Sequence, residues 1–246
     1  MAESTIKTAR RVFEVLEYFD RERRPLALKE IAARLRYPAS SGSVLLRSMV
    51  ALGYLEYDQT SRTYFPTMRL AALAAWVAPA LFGEGDIEHL MEHLHHATGE
   101  VVILAAQSGL HAQYVHVVPA RQPLQFAVTP GTRRPLARSG MGWLLLSAHG
   151  NTQIEKLRRR INADNTQKSK VSAEELMKQV NAVRATGYAF SKGAVSLGTG
   201  LIAMLLPKTA SGRTYAVGIG GPVQRLQRKE KEIVAELRAA ISFSLR

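Results

Sequence analysis

The His89-Leu-Met-Glu-His93 stretch has the H-x-x-E-H spacing with which some zinc hydrolases set two imidazoles and a carboxylate on one helix. A helix here puts Ile87, Leu90, Met91 and Leu94 on its apolar stripe and leaves His89, His93 and His96 together on the solvated side. No third ligand is evident, so adventitious binding by i, i+4 histidines is the stronger metal reading. Gly198-Thr-Gly-Leu-Ile-Ala203 fits G-x-G-x-x-A, but a dinucleotide site needs that motif between a strand and a helix. Here it enters a leucine-rich, strand-like run that ends at Pro207. Ser139 has neither a G-x-S-x-G context nor an obvious histidine partner, so serine hydrolysis is set aside. The chain has no cysteine, which excludes disulfides and thiolate metal sites and suits a reducing compartment such as the cytoplasm. No enzymatic reaction, cofactor or metal is expected.

A different chemistry, recognition of phosphates and base edges, is open to "YPASSGSVLLRSMVALGYL", residues 37–55. Ser40, Ser41 and Ser43 carry hydroxyls that bond either group, Val44 can meet a thymine methyl, and Arg47 is the only charged side chain in the stretch. At 100° per residue, Leu45, Met49 and Leu52 fall within about 60° of one another and are expected to face a core. Ser40, Ser43 and Arg47 then lie opposite, flanked by Val44.

The elements that must hold this face are legible around it. Thr5 can cap a helix whose apolar positions are Ile6, Ala9, Val12, Phe13, Leu16 and Phe19. Leu28, Ile31, Ala32 and Leu35 mark a second, short helix, and a turn through Arg36 and Pro38 leads to a third, capped by Ser40 or Ser41. "YLEYD" and "RTYFP" read as a β-hairpin with Arg62 at its tip. Two short helices, a tight turn and a hairpin wing make a winged helix-turn-helix over residues 1–66. Arg10, Arg11 and Lys29 on the neighbouring helices are further candidate phosphate contacts.

The net charge of +13 agrees with an anionic partner, but its distribution is uneven. Residues 1–83 hold 12 Lys/Arg against 8 Asp/Glu, residues 84–150 hold 4 against 5, and residues 151–246 hold 17 against 7. Most of the excess is therefore far from the third helix. Residues 67–82 are apolar nearly all round if helical, with Arg69 the only charge, as befits a buried helix or one packed on a second chain. The run is too short to span a membrane and contains Pro79. "GEGD", residues 83–86, marks a boundary.

From residue 84 the pattern is a helix to about Thr98, strands "VVILAAQSG", "LHAQYVHVV" and "LQFAV", helices over 139–148, 152–161 and 172–186, strands "GYAFS", "LIAMLL" and "YAVGIG", and a terminal charged helix. Ser172 with Glu175 forms a capping box. The order predicts an α+β domain with a mainly antiparallel sheet over residues 84–246.

The chain resembles the IclR family of transcription regulators. That family's Leu-Pro-x-Ser-Thr-Val-His-Arg-Leu-Leu pattern, closed by Gly-Tyr, is echoed by Pro38, Ser40, Ser41, Leu45, Leu46, Gly53 and Tyr54. It departs at Ser43 and Val44, where members carry a large polar residue and an arginine, so the strong guanine-directed donor is missing. "PGTRRPLARSGMGWLLLS", "ATGYAFS" and "VGIGGPVQRL" resemble three segments of the family's GAF-like effector domain. The resemblance implies a linker helix over 67–83 used for dimerisation, giving a homodimer or a homotetramer as a dimer of dimers. It also implies double-stranded operator DNA as partner, and a small-molecule effector bound among Ser139, Gly140, Met141, Ser191, Lys192, Leu201, Gly218 and Gly220. A helix N-terminus at Ser139–Met141 would hold a carboxylate. Lys192 replaces an acidic residue and Leu201 a polar one, and Gly218 and Gly220 replace two serines, so a roomy, apolar pocket for an organic, possibly aromatic, acid is expected. The alternative is a ligand-binding or interaction protein whose helix-turn-helix has lost specific DNA readout.

Overall fold

The computed structural model describes residues 6–82, 87–121, 128–164, 170–194, 196–209 and 212–244. The chain separates into two compact units, residues 1–77 and 78–246.

The first unit runs α1 (Lys7–Glu22), β1 (Leu26–Ala27), α2 (Leu28–Leu35), α3 (Ala39–Ala51), β2 (Leu55–Asp58), β3 (Thr63–Pro66) and α4 (Met68–Ala74). Val15, Tyr18 and Phe19 of α1, Ile31 of α2 and Leu45, Leu46 and Met49 of α3 close one core with Leu26, Leu55 and Tyr64. The α2–α3 turn is tight because α2 ends in a left-handed residue, Arg36 at φ 56°, after which Tyr37 N–H bonds back to Ala32 O at 2.9 Å. The wing is antiparallel, with Tyr57 opposite Tyr64, and β1 adds to the far side of β3.

Two local expectations fail in α3. Pro38, not a serine, precedes the helix, and neither Ser40 nor Ser41 caps it by a side-chain bond. Both sit in the first turn, where proline's fixed φ already starts the helix. Leu52 is 60% exposed. The buried stripe is Gly42, Leu45, Leu46 and Met49, at i, i+3, i+4 and i+7, and the helix ends before Leu52 can join it. The cap expected at Thr5 and the boundary at 83–86 lie outside the described residues.

The single apolar helix expected over 67–82 is two. α4 and α5 (Val77–Phe82) are separated by a turn at residues 75–76. Pro79 explains the place of the break: it has no N–H to donate to the carbonyl four residues back, at Ala75, and its ring crowds that carbonyl. Thr67 anchors α4, accepting from Arg69 N at 3.3 Å while donating to Gly53 O at 2.6 Å. Neither short helix has a buried residue.

The second unit continues with α6 (Ile87–Thr98), β4 (Val101–Ser108), β5 (His111–Val118), β6 (Arg133–Pro135), a 3-10 turn (Leu136–Arg138), α7 (Gly140–Ser147), α8 (Asn151–Ala163) and α9 (Ala173–Thr186). It ends with β7 (Ala189–Lys192), β8 (Thr199–Leu205), β9 (Tyr215–Pro222), α10 (Val223–Arg228) and α11 (Glu230–Ser244). Among the described residues the sheet order is β6-β5-β4-β9-β8-β7, antiparallel throughout. Alternation along each strand feeds two cores. Val101, Ile103, Leu201 and Ala203 pack with α7, α8 and α9, while Val102, Leu104, Ile202 and Met204 pack with α6, α10 and α11. Glu100, just before β4, is buried and paired with Arg225 of α10, whose Nη2 lies 2.8 Å from Oε2. The strand expected over 124–128 lies outside the described residues save Val128. The third strand of this edge is Arg133–Pro135, which shows no apolar alternation to announce it.

Candidate nucleic-acid interface and ligand cavity

α3 turns a small, mostly uncharged face to solvent. Ser40 and Arg47 are exposed, Val44 is 57% exposed, and Ser41 and Ser43 are half-buried beside them. Ser48 Oγ donates to Val44 O at 2.9 Å, which keeps that hydroxyl on its own helix. Arg62 is exposed at the wing turn, in the left-handed region at φ 55°. Asp58 shapes this turn by accepting from Thr60 N at 2.7 Å and from the Ser61 hydroxyl at 2.9 Å. The Ser61 hydrogen bond is the main reason its carboxyl is held below the usual carboxylate range.

Lys29 is exposed on α2. Arg10 and Arg11 have local partners, the first at i, i+4 on its own helix. Arg10 Nε lies 3.5 Å from Glu14 Oε1, and the Arg11 guanidinium lies 4.4 Å from the centroid of the Tyr37 ring. Tyr37 OH in turn donates to Glu14, and burial followed by this bond pushes the phenol up. Both arginines thus stand at the turn that leads into α3, with part of their charge used to brace it.

In the second unit α7 begins against its neighbours. Ser139 caps it, accepting from Gly142 N at 3.1 Å and donating to Pro135 O at 2.9 Å, so this hydroxyl serves the helix start. A Cβ at Gly140 would stand 2.6 Å from Ser191 Cβ, and one at Gly142 would stand 2.0 Å from Leu136 O. Glycine at both positions lets the first turn press against β7 and the 3-10 turn.

A cavity of about 20 Å³ lies at this helix start, with Tyr114, Arg134, Gly140, Met141, Ser191 and Leu201 in its wall, along with Ser139. Gly218 and Gly220 share the sheet face of this wall, Gly220 directly opposite Leu201. Among the described residues, the roomy pocket expected from those glycines is not formed. A Cβ on Gly218 would meet Leu201 Cδ1 at 3.0 Å and Met141 Cε at 3.1 Å, so the larger side chains occupy the space the glycines release. Close packing leaves room for about one water-sized group.

Lys192 is a further correction. It pairs with Gly200 on the opposite face of the sheet from Ser191, and its Nζ lies 4.5 Å from the centroid of the Phe190 ring. A strand's two-residue period sends neighbours to opposite sides, so a cation adjacent in sequence does not reach the cavity.

The two other motifs are also placed. His89, His93 and His96 are exposed on α6, with His93 Nε2 2.6 Å from Glu236 Oε1 and His96 beside Arg121. Gly198–Ala203 runs into β8, not into a helix.

The profile described as "IclR helix-turn-helix domain" matches residues 8–59, and "Bacterial transcriptional regulator IclR C-terminal" matches residues 86–242. The chain belongs to the IclR family. Among IclR-family relatives, the HTH-type transcriptional regulator KdgR of Dickeya chrysanthemi is 26% identical over 187 residues, which are 75% of this chain and 60% of that one. KdgR of Escherichia coli K12 is 25% identical over 75% of this chain and 70% of its own length. The chain thus spans about 60% of the length of the Dickeya relative. The solved effector domain of an IclR regulator from Acinetobacter sp. ADP1 is 27% identical over 63% of this chain and 91% of that one, with a TM-score of 0.58. Thermotoga maritima IclR, 18% identical and matched over 97% of both chains, has a TM-score of 0.66 and shows the same fold. Both KdgR relatives are HTH-type transcriptional regulators.

Arg134 is the wall residue that sequence reasoning passed over. It stands on β6 opposite Ala112, which belongs to the core under α7. Its guanidinium carbon lies 5.9 Å from the centroid of the Tyr114 ring. Burial pushes the Tyr114 phenol up, and a hydrogen bond from Arg134, followed by the Arg134 charge, opposes that shift. The signal was the doubled arginine of "TRRP": on a strand one of two neighbours must face inward.

Proposed function

We propose that this IclR-family chain is a sequence-specific DNA-binding transcription regulator controlled by an organic acid. The observation that carries the DNA reading is α3, whose Gly42, Leu45, Leu46 and Met49 are buried while Ser40, Val44 and Arg47 face water beside an exposed wing. In this reading Ser40, Ser41, Ser43 and Val44 meet base edges, and Arg47, Arg62 and Lys29 meet phosphates, with Arg10 and Arg11 adding contacts from α1. Residues 1–66 form the DNA-binding domain, 67–83 the linker, and 84–246 a GAF-like effector domain. The two core layers on either side of one antiparallel sheet support that last description.

Each half-site is read weakly, so two copies acting together supply the affinity. The exposed apolar side chains of α4 and the turn after it, Met68, Leu73 and Trp76, support a homodimer, or a dimer of dimers, built on this segment. The effector's carboxylate sits at the start of α7, where Gly140 and Met141 offer first-turn N–H groups. A bulkier apolar body, aromatic ones included, would enter by displacing Leu201 and Met141. It alters DNA affinity only by binding one arrangement of the paired DNA-binding domains more tightly than another. A cytoplasmic location follows from these partners.

The missing arginine at Ser43 and Val44 favours one second reading, an interaction protein without specific readout. Fluorescence anisotropy of the full chain on its own promoter separates the two. Specific binding that weakens steeply with salt and responds to an organic acid supports regulation, and binding equal to that of scrambled DNA refutes it.

A further inference from the structure

We propose that Arg134 is the counter-charge that makes the α7 cavity select a carboxylate over the matching neutral molecule. The inference rests on the effector reading and adds to it the residue that sets the ligand's charge.

Register gives the direction. β6 pairs with β5 so that Arg134 faces Ala112, which is fully buried under α7, while its neighbour Arg133 is exposed, with Nη2 3.2 Å from His111 Nδ1. Arg134 therefore brings a permanent charge to the cavity wall. Its Nε is buried and has no hydrogen-bond partner among the described residues. Among the described residues, none that lines the cavity is acidic. The Arg134 side chain is half-buried and its guanidinium also hydrogen-bonds Tyr114, so the unmet donor is the single Nε–H. A buried N–H without an acceptor is costly, and an anion entering the cavity would supply one.

The remaining wall limits what that anion is. A guanidinium edge offers two parallel N–H donors, which fit the two oxygens of a carboxylate. Gly140 and Met141 begin α7, so their N–H groups have no carbonyl one turn back, while the Gly142 N–H is already taken by Ser139. Ser191 is 8% exposed and stands against Gly140. Donors thus come from Arg134 and from the helix start. A neutral amide of the same shape would set an NH₂ against these donors and leave one unmatched. Tyr114, stacked near the guanidinium, holds its orientation.

Calorimetry on the full chain tests this with propanoate, hexanoate, benzoate and phenylacetate, each beside its amide. The wild type is expected to bind at least one acid and to prefer it to its amide by at least about tenfold. Arg134→Gln should weaken that acid at least about tenfold and bring acid and amide to within about threefold of each other. Arg134→Lys keeps the charge but not the paired donors, and should fall between the two. Unchanged Trp143 fluorescence in both variants would show that α7 is still seated. If Arg134→Gln binds the acid as the wild type does, or keeps the preference over the amide, the assignment of Arg134 is overturned while the effector reading stands. If the wild type binds no acid, the effector reading itself is overturned.

Discussion

Gly142→Ala isolates the contact that seats α7 beside the cavity. On helix propensity alone alanine should stabilise the helix by up to about 1 kcal/mol. The structure reverses that sign. The new Cβ would stand 2.0 Å from Leu136 O, 2.6 Å from Leu136 C and 2.7 Å from Leu136 Cα. A carbon approaches a carbonyl oxygen comfortably at about 3.3 Å, so helix and 3-10 turn must part by more than about 1 Å. That turn is pinned by Leu136 N–H on Leu110 O at 3.1 Å and by Trp143 Nε1–H on Ala137 O at 2.9 Å. Overpacking of this kind costs about 1–3 kcal/mol, and a backbone neighbour puts it toward the upper end. The net loss is about 1–2 kcal/mol, or about 2–8 °C in Tm for a unit of this size. The chain has two tryptophans, and Trp76 is 68% exposed, so Trp143 fluorescence in a Trp76→Phe background follows α7 through urea unfolding. Gly42→Ala is the matched contrast: its Cβ would meet Leu28 Cδ1 at 3.4 Å, an ordinary contact, and it should stabilise the first unit by about 0.5–1 kcal/mol. An unchanged or raised midpoint for Gly142→Ala would refute the close approach.

Val44→Arg should tighten DNA binding and shift base preference in a selection experiment, whereas an unchanged preference would mean that another face of α3 enters the groove. Arg47→Ala should weaken binding to all sequences and make the salt slope shallower by about one unit, and a loss confined to one operator position would contradict its phosphate role. Leu73→Glu or Trp76→Glu should yield monomers or aggregates by light scattering and abolish operator binding, and an intact, well-folded oligomer would move the interface elsewhere. Glu100→Gln removes the buried partner of Arg225, whose side chain is 25% exposed, so the loss should lie at or below the lower end of about 3–5 kcal/mol. A midpoint unchanged in chemical denaturation would mean that water replaces the carboxylate.

Much of the architecture could be read from local pattern. Apolar spacing in α2 and α6 marks the face each turns inward, because burial of one face is what stabilises it, and the near-continuous apolar runs of β4, β8 and β9 mark strands covered on both faces. In α1 the expected stripe fails: Ile6 and Phe13 are 75% and 64% exposed, and Val15, Tyr18 and Phe19 fill the core. Ser172 marked the start of α9, accepting from Glu175 N at 3.4 Å. The solvent face of α6 was also legible, since His89, His93 and His96 sit opposite its buried stripe, whereas His95 is buried with it.

The cavity was not legible in the same way. Its position at the start of α7 followed from a Ser-Gly-x-Gly helix entry, a local feature. Its volume did not, because the space opened by Gly218 is filled by Met141 and Leu201, residues 77 and 17 positions away in the chain. Nor did its charge: Lys192 looked available beside Ser191, yet the strand period turns it to Phe190, while Arg134 arrives from a three-residue strand that pairs only because β5 holds it. Residue type and local period, properties of neighbours in sequence, determined most of the elements, the buried faces of α2 and α6 and the exposure of Ser40, Val44 and Arg47 on α3. Which side chains share a cavity, and how much room they leave, depends on contacts between distant segments and on close packing, and only the tertiary structure decided it.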